Sequence, residues 1–478
     1  MTVEPYDVAV VGAGVIGAGI AARLSQDDLR VIWLEAAHDV AEGATKGNSA
    51  IAASGYDVEP GTLEAELVTA SSRRWEAICA DLDVPFRRVG CLVLAFTAAE
   101  ERRLADLRAQ AAANGVETAV VSGGRLGTLA PAASAAARAA LHVPAEGIVD
   151  PIRLTIAWAE LAVRNGVDLH LGTPARGFRR DDSGRIVAVE TPRGAIPARF
   201  VVNAAGLRAD EVSAMAGGEA FRIWPRKGQF LLVDRAAAAG VRHILAPIPG
   251  PDTRGTLVIP TTNGSLLLGP TAEDGEDKTD ASTDAATLAR VFAAANRLLA
   301  APVDRAHVTK AFAGLRPASD HLYRVERSTP VPNLVHAAAI RSTGVSSSPA
   351  VADRVRDVLV EAGLEARPRP GAVTRLERRA RLAELPSGDV VTAPDPDGTA
   401  RTVVCSCEHV TAAEIRAALT GPVPATTIDG VRKRTRACAG RCQGSYCLAG
   451  VGFMLSVERG LEPWQVEHGE PGSTWGIG

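Results

Sequence analysis

The stretch that decides the fold is residues 6–35, YDVAVVGAGVIGAGIAARLSQDDLRVIWLE. The apolar letters VAVV are typical of a buried parallel strand, and the pattern G-x-G-x-x-G follows at Gly12, Gly14 and Gly17. These glycines permit a tight turn, a close approach of backbone to a pyrophosphate, and packing of the next helix on the strand. Glu35 ends the second strand, where a carboxylate would accept ribose hydroxyls. The stretch therefore predicts a dinucleotide-binding unit, without choosing between NAD and FAD.

The bulk composition of the chain narrows the class of protein. A chain of 478 residues exceeds what one core organises, so two or three domains are expected. A net charge of −3 offers no basic footprint for nucleic acid, and no run approaches the ~20 apolar residues of a membrane span. The N-terminal residues lead straight into a strand without the pattern of a signal peptide. We expect a reducing, cytoplasmic setting in which stable disulfides are disfavoured.

Three later segments suggest that the cofactor is a flavin nucleotide. Each is rich in small residues, so its backbone can lie against a flat ligand. The segment EGATKGNSAIAASGYDVEPGTLEAEL follows Glu35, ARFVVNAAGLRADEV is a later strand and turn, and NLVHAAAIRSTGVSSSPAVADRVRDVL reads as strand, loop and helix. An ordinary surface loop is the alternative for the first segment. The cofactor-binding candidates in these segments are Thr45, Ser49, Ala205, Gly206, Gly344, Val345 and Ser346.

The order of these motifs, together with FAGLRPASD, resembles the FAD-dependent dehydrogenases of the D-amino-acid-oxidase superfamily. Within that superfamily the chain is similar to catalytic subunits of anaerobic glycerol-3-phosphate dehydrogenases and to L-2-hydroxyglutarate oxidases. The resemblance implies FAD and an α/β fold: a Rossmann-type, glutathione-reductase-like FAD-binding domain, a mixed-sheet substrate domain and a small helical cysteine-cluster domain. The predicted boundaries are 1–85, 145–215 and 333–365 for the FAD-binding domain, 86–144 and 216–332 for the substrate domain, 366–400 for a linker, and 401–465 for the last domain.

Two arginines are the candidates for binding a substrate anion. Arg316 lies in AGLRP and Arg341 in IRSTG, and the resemblance places both near the substrate pocket. The guanidinium group is a rigid, bidentate partner for carboxylate or phosphate. A structural ion pair is the alternative for each of them. Arg226 and Lys227 are weaker candidates, more often structural.

One position departs from the family pattern. Where the resemblance leads us to expect histidine beside the flavin, this chain has Ala53, whose side chain can neither accept a proton nor donate a hydrogen bond. The general base is therefore unassigned. The histidines at 243, 307, 321 and 336 are available, but the sequence places none of them near the ring.

The C-terminal region contains five of the seven cysteines. Cys405 and Cys407 form C-x-C, Cys442 and Cys447 form C-x4-C, and Thr411 with Glu414 predicts a helix N-terminus between the two pairs. Four thiolates suit zinc or an iron–sulfur cluster. The region resembles bacterioferritin-associated-ferredoxin-like domains, which implies a [2Fe–2S] cluster held by these four cysteines.

Cys438 falls outside that ligand set, at a position where the family more often has glycine. The cations that flank these cysteines would raise the reduction potential of the cluster. The alternative is that they form a solvated basic face. They are Arg432, Lys433, Arg434, Arg436 and Arg441. Cys79 and Cys91 are expected to be packing residues.

Flavin and cluster in one chain predict a dehydrogenase. The favoured substrate is a small anionic alcohol, a 2-hydroxy acid or glycerol 3-phosphate, oxidised by hydride transfer to flavin with electrons passed through the cluster to a partner protein or quinone. The acceptor could be another subunit of a hetero-oligomer, and a quinone would place the protein at the inner face of the membrane. The alternatives are oxidation of the C–N bond of an amino or imino acid, and a non-catalytic electron-transfer flavoprotein.

Overall fold

The computed structural model describes residues 4–238, 240–250, 253–321, 323–385 and 398–474. Two large sheets and a small helical unit organise the chain. None of the helices in these ranges is long and apolar enough to cross a membrane.

The strands and helices follow one another along the whole chain. The strands are β1 (Tyr6–Val11), β2 (Val31–Leu34), β3 (Ile51–Ala52), β4 (Phe86–Arg88), β5 (Cys91–Ala95), β6 (Ala119–Ser122), β7 (Ala139–Val143), β8 (Gly147–Val149), β9 (Asp168–His170), β10 (Gly177–Arg180), β11 (Ile186–Thr191), β12 (Gly194–Asn203), β13 (Trp224–Val233), β14 (Ile244–Pro247), β15 (Leu257–Pro260), β16 (Leu266–Gly269), β17 (Glu273–Asp274), β18 (Val308–Ala318), β19 (Arg324–Arg327), β20 (Leu334–Ala338), β21 (Val403–Cys405) and β22 (Val410–Thr411). The helices are α1 (Val15–Leu24), α2 (Leu63–Ser72), α3 (Trp75–Asp81), α4 (Ala98–Ala113), α5 (Gly123–Leu129), α6 (Pro151–Arg164), α7 (Ala209–Ala216), α8 (Ala285–Arg297), α9 (Gly344–Glu361), α10 (Ala412–Thr420), α11 (Ile428–Thr435) and α12 (Leu448–Arg459).

The first sheet contains the glycine-rich turn. Its central strands run in the order β9-β2-β1-β12-β20 and pair in parallel, with β19 antiparallel at the β20 edge and the β10-β11 hairpin joined to β12. Val8 and Val10 pack with α1, α6 and α9, whereas Ala9 and Val11 face a second buried cluster. Burial on both faces explains the continuous apolar run of β1. The carboxyl ends of β1, β2, β12 and β20 therefore meet at one edge of the sheet.

The second sheet is mixed, as the sequence predicts for the substrate domain. Its order is β6-β7-β5-β14-β15-β16-β13, with β17 and β18 both paired to β13. Within the described strands of this second sheet, β5 and β14 pair in parallel and the other pairs are antiparallel. The long β13-β18 ladder places Arg226 opposite Arg316 and Gly228 opposite Gly314.

The C-terminal unit is small and helical, as predicted. Strands β21 and β22 form a hairpin, and α10, α11 and α12 enclose a core that includes Ile415, Val431 and Leu455. Thr411 and Glu414 form the reciprocal capping box at the start of α10, which confirms the predicted helix N-terminus.

Part of the segment predicted as a linker lies against the first sheet's helices. The Arg369 guanidinium donates to the carbonyl oxygen of Leu29, and Val373 exchanges hydrogen bonds with Asn165. Arg379 pairs with Glu160 at 2.6 Å. Residues 386–397 of this segment lie outside the described residues, and the domain boundaries remain predictions.

Candidate functional site

The glycine-rich turn forms a cradle whose tight places exclude side chains. A Cβ at Gly12 would lie 2.5 Å from the carbonyl oxygen of Ala204, and one at Gly17 would lie 1.9 Å from the carbonyl oxygen of Gly12. Gly12 also has φ of +106°. Gly14 directly precedes α1, and a Cβ there would meet only the Thr45 hydroxyl, at 3.3 Å. The free side of Gly14 is the place where a pyrophosphate could approach the helix N-terminus.

Glu35 lies over this turn at the carboxyl end of β2. Its carboxylate accepts hydrogen bonds from the backbone N–H of Ala13 at 2.5 Å and of Ala37 at 2.8 Å. Burial raises the pKa of Glu35 although these N–H groups act in the opposite direction. A carboxylate at the end of the second strand, beside the turn, could accept the hydroxyls of a ribose.

Thr45 and Ser49 belong to the segment that follows β2. The Thr45 hydroxyl accepts the backbone N–H of Val15 at 2.9 Å, so it lies at the N-terminus of α1. Ser49 is half-buried in the same segment.

Gly47 of this segment crosses Gly314 of β18 in very close contact. A Cβ at Gly314 would lie 1.6 Å from the carbonyl oxygen of Gly47. The crossing joins the cofactor segment to the second sheet at a place where neither residue can carry a side chain. Sequence reasoning did not identify this pair.

Ala205 and Gly206 follow β12 at the same edge. Ala205 lies 3.1 Å, measured at its Cα, from where a Cβ of Gly12 would be. Gly206 has φ of +56° and has open space around its α-carbon. The ends of β1 and β12 thus form one continuous small-residue surface.

Gly344, Val345 and Ser346 form the first turn of α9, whose free N–H groups face the same edge as the carboxyl end of β20. The Ser346 hydroxyl accepts the backbone N–H of Ala53 at 2.9 Å and donates to the carbonyl oxygen of Ile51 at 3.1 Å. The start of α9 and the segment around position 53 are therefore locked together. The structure brings all eleven predicted cofactor-binding residues to one region, with Ser49 the least constrained.

The two candidate arginines lie together with a third. Arg316 donates to the carbonyl oxygens of Thr271 at 2.6 Å and Arg226 at 3.2 Å. Burial and the charges of Arg226 and Arg341 lower the pKa of Arg316 to about 10, so it stays protonated at neutral pH. Arg341 follows β20 and is half-buried. Arg226 pairs with Asp274 at 2.5 Å.

These three residues, Arg226, Arg316 and Arg341, are called the arginine cluster below. Among the described residues, Asp274 is the carboxylate that acts on this cluster, and the resulting excess of positive charge suits a carboxylate or phosphate ligand. From the sequence Arg226 is only a weaker candidate, of a kind more often structural; the pairing of β13 with β18 places it beside Arg316.

Ala53 lies in an apolar environment. It is 1% exposed and belongs to a hydrophobic cluster with Ile51, Phe230 and Ile259. The nearest polar residue along the chain, Ser54, donates through its backbone N–H and its hydroxyl to the buried Glu146. Burial raises the pKa of Glu146, although the charge of the nearby Arg254 acts in the opposite direction.

Two of the four histidines that could have replaced a base, His336 and His243, contact other side chains. His336 is buried on β20 and contacts Glu219 at 2.9 Å and Asn203 at 3.3 Å. His243 lies edge-on against His142. His307 ends a short 3-10 turn before β18, and His321 follows β18. The general base remains unassigned.

The five C-terminal cysteines come together, three of them buried and two half-buried. Cys405, Cys438 and Cys447 are buried, and the Sγ atoms of Cys438 and Cys447 are 3.5 Å apart. Cys405 interacts with the thiol of Cys447. Cys407 and Cys442 are half-buried and interact with each other. The predicted ligands are therefore neighbours in the folded chain, and all seven cysteines are free thiols.

The residues around Cys442 favour its thiolate. Burial works against ionisation, yet the backbone N–H groups of Gly444, Ser445 and Tyr446, together with the Cys407 thiol, hold the pKa of Cys442 below its usual value. A thiolate surrounded by N–H donors is a suitable iron ligand. No three cysteine, histidine or carboxylate side chains of the described ranges converge as a single-ion site. A [2Fe–2S] cluster needs only two protein ligands at each iron.

The basic run beside the cysteines is largely paired. The Lys433 ammonium contacts Glu42 and, at 3.4 Å, Asp39, and the Arg434 guanidinium binds Asp39 through both terminal nitrogens at 2.8 and 2.9 Å. The side chains of Lys433 and Arg434 are only 6% and 4% exposed. A solvated basic face is therefore the wrong description of these two residues, which dock the C-terminal unit on the first sheet.

A second contact docks the unit on the second sheet. Arg235 donates to the carbonyl oxygen of Cys407 at 2.8 Å and to Glu408 at 2.9 Å. Glu408 also accepts from Arg436 at 2.8 Å. The cysteine pair Cys407–Cys442 is thereby held at the junction of the C-terminal unit and the second sheet.

Comparison with known proteins agrees with this arrangement. Residues 7–358 match the family model for FAD dependent oxidoreductases, and residues 403–455 match the model for BFD-like [2Fe-2S] binding domains. The chain is 35% identical over 472 residues to a glycerol 3-phosphate dehydrogenase of Caloramator mitchellensis, covering 98% of this chain and 97% of that relative. It is 28% identical over 273 residues to an L-2-hydroxyglutarate dehydrogenase of Escherichia coli O17:K52:H18, covering 56% of this chain and 64% of the relative.

The fold has a solved counterpart. The dithionite-reduced L-α-glycerophosphate oxidase of Mycoplasma pneumoniae with FAD bound superimposes with a TM-score of 0.72 at 23% identity, covering 78% of this chain and 99% of that one. This likeness confirms the predicted FAD-binding architecture. The chain belongs to the FAD-dependent oxidoreductase family and ends in a [2Fe–2S]-binding domain.

Proposed function

We propose that the protein is a dehydrogenase of a small anionic alcohol, of the glycerol 3-phosphate or 2-hydroxy acid type. The arginine cluster is the observation that carries the proposal, because its positive charges lie together and Arg341 follows β20, whose carboxyl end lies at the edge that holds the cofactor residues. The names of the relatives support the same class: one is a glycerol 3-phosphate dehydrogenase and the other an L-2-hydroxyglutarate dehydrogenase.

The chain's own residues divide the work of binding and orientation. Gly12, Gly14 and the N-terminus of α1 receive the pyrophosphate, Glu35 binds the ribose, and the first turn of α9 meets the flavin. Bound FAD supplies the hydride acceptor, and the [2Fe–2S] cluster supplies a one-electron carrier. Arg316 and Arg341 hold the substrate anion, so that its carbinol carbon is kept in place for hydride loss.

The test is anaerobic bleaching of the purified protein's flavin absorbance. Glycerol 3-phosphate and L-2-hydroxyglutarate are compared with uncharged glycerol at equal concentration, after the chromophore released by denaturation has been identified as FAD. We expect at least one anion to bleach the flavin and glycerol to fail. Equal bleaching by glycerol would contradict the role given to the arginine cluster.

Oxidation of a C–N bond is the second candidate, and Ala53 favours it. Proton removal from an alcohol by a positioned base contributes typically ~10²–10⁴-fold, and the side chain of Ala53 cannot act as that base. A neutral amine carries a lone pair that supports hydride loss without that help. Matched pairs of hydroxy acid and amino acid, tested on wild type and on Ala53→His, separate the candidates. Preference of wild type for the amino acid, reversed by Ala53→His, would establish the second.

Electrons are proposed to leave through the Cys407–Cys442 side of the cluster, because these thiols are half-buried whereas Cys405 and Cys447 are buried. The electron acceptor is either a quinone or a protein, such as a further subunit of a hetero-oligomer. Seven free thiols suit the reducing conditions of a cytoplasm.

A further inference from the structure

The C-terminal domain contains one thiol more than a [2Fe–2S] cluster uses. Cys438 is 5% exposed, and its Sγ lies 3.5 Å from that of Cys447. Its backbone N–H donates to the sulfurs of both Cys405 and Cys447. The fifth thiol is therefore part of the same cluster of sulfurs and not a surface thiol nearby.

The backbone at Cys438 directs the side chain into this cluster. Its φ of +65° lies in the left-handed region that residues with a Cβ rarely adopt. The position faces Gly444, where a Cβ would lie 3.3 Å from the Cβ of Cys438. A glycine would satisfy the turn without strain, so the thiol is present at a position that disfavours any side chain.

The five sulfurs do not divide evenly between the two irons of a [2Fe–2S] cluster. A [2Fe–2S] cluster takes two thiolates at each iron. Cys407 and Cys442 interact as one pair, and charge interactions link them to Cys405 and Cys438 of the buried group. The buried group offers Cys405 together with either Cys447 or Cys438. The Sγ atoms of Cys438 and Cys447 lie 3.5 Å apart beside Cys405, and an iron that takes two protein thiolates needs only one of them together with Cys405.

We propose that Cys438 is a reserve ligand, which takes the place of Cys447 beside Cys405 when the Cys447 thiolate is absent. The inference rests on the [2Fe–2S] site described above. The pair formed by Cys407 and Cys442 is expected to have no such reserve, since the Cys438 sulfur contacts Cys447 at 3.5 Å, whereas Cys442 acts on Cys438 through its charge.

The test compares four variants of the full chain, each made with alanine because a serine oxygen can itself bind iron. They are Cys438→Ala, Cys447→Ala, Cys442→Ala and the double variant Cys438→Ala with Cys447→Ala. Iron and acid-labile sulfide are measured per chain, the dithionite-reduced protein is examined by electron paramagnetic resonance, and FAD content reports folding of the remainder.

We expect Cys438→Ala and Cys447→Ala each to retain about two irons per chain, as wild type does. The resonance of Cys447→Ala should be shifted from that of wild type, because one ligand has been exchanged. Cys442→Ala and the double variant should lose the cluster while retaining FAD.

Loss of iron in Cys447→Ala as complete as in Cys442→Ala would overturn the proposal. Loss in Cys438→Ala alone would also overturn it, since Cys438 would then be a primary ligand. Wild-type protein without iron would refute the cluster site itself. That failure is distinguishable from failure of the proposed substrate class, which is read from flavin bleaching.

Discussion

Two groups of buried or half-buried cations, Lys433 with Arg434 and the arginine cluster, differ in their surroundings. Lys433 and Arg434 of α11 meet Asp39 and Glu42 across the contact with the first sheet, so the positive charges face two carboxylates. In the arginine cluster, Arg316 bonds only to backbone carbonyls among its described partners, and Arg226 pairs with Asp274. The first group is balanced, whereas the second keeps an excess of positive charge.

This difference separates a structural role from a binding role. A buried charge is stable only when it is paired, so the balanced group contributes to docking and has no capacity left for a ligand. A group with more positive charges than carboxylates keeps positive charge that an anionic ligand can neutralise. Lys433 and Arg434 belong to one basic run, whereas Arg226, Arg316 and Arg341 lie in three separate segments; in both groups the partner carboxylates come from elsewhere in the chain.

The largest expected effect comes from breaking the balanced group. Arg434→Ala leaves Asp39 buried with only the longer contact to Lys433, and removing one partner of a buried pair typically costs about 3–5 kcal/mol. We expect faster hydrogen–deuterium exchange of residues 428–435 and a lower temperature of unfolding. Arg432→Ala is the matched control, since Arg432 pairs with Asp429 of its own helix and should cost less than about 1 kcal/mol. Equal effects of the two variants would show that the docking does not depend on Asp39.

The second largest expected effect comes from the arginine cluster. Arg316→Ala removes a guanidinium whose charge-assisted hydrogen bonds to an anion are worth about 1.5–3 kcal/mol, which is roughly a 10- to 150-fold increase in KM for the anionic substrate. FAD content should not change. Arg222→Ala is the control, because Arg222 pairs with Glu276 at the exposed surface of the same sheet. An unchanged KM in Arg316→Ala would remove the arginine cluster from the substrate site.

The smallest expected effect comes from removing the negative charge that partly offsets the arginine cluster. The hydrogen bond and charge of Arg226 hold the pKa of Asp274 below its usual value, so this carboxylate is ionised at neutral pH and offsets part of the positive charge. Asp274→Asn should therefore lower KM for an anionic substrate, by up to about 5-fold for an exposed pair. The measurement is KM at low and high salt, since screening should diminish the gain. A raised KM would mean that Asp274 positions Arg226 and does not compete with the substrate.

The cofactor elements were predictable because each is a local pattern. The turn at Gly12, Gly14 and Gly17, the carboxylate of Glu35 and the paired cysteines all act within short stretches whose spacing determines their geometry. The family resemblance then supplied FAD and [2Fe–2S], and both are confirmed by the family matches. The roles assigned to individual residues remain predictions that the variants above address.

The sequence by itself determined the parallel FAD-binding sheet, the mixed second sheet and the helical cysteine domain, because strand periodicity, glycine turns and capping residues act over a few positions. Only the tertiary structure decided which charges meet. The β13-β18 ladder places Arg226 beside Arg316, although 90 residues separate them, and docking brings Asp39 to Arg434 across 395 residues. Ladder register and domain docking depend on the burial of whole surfaces, and no local pattern around either residue records its distant partner.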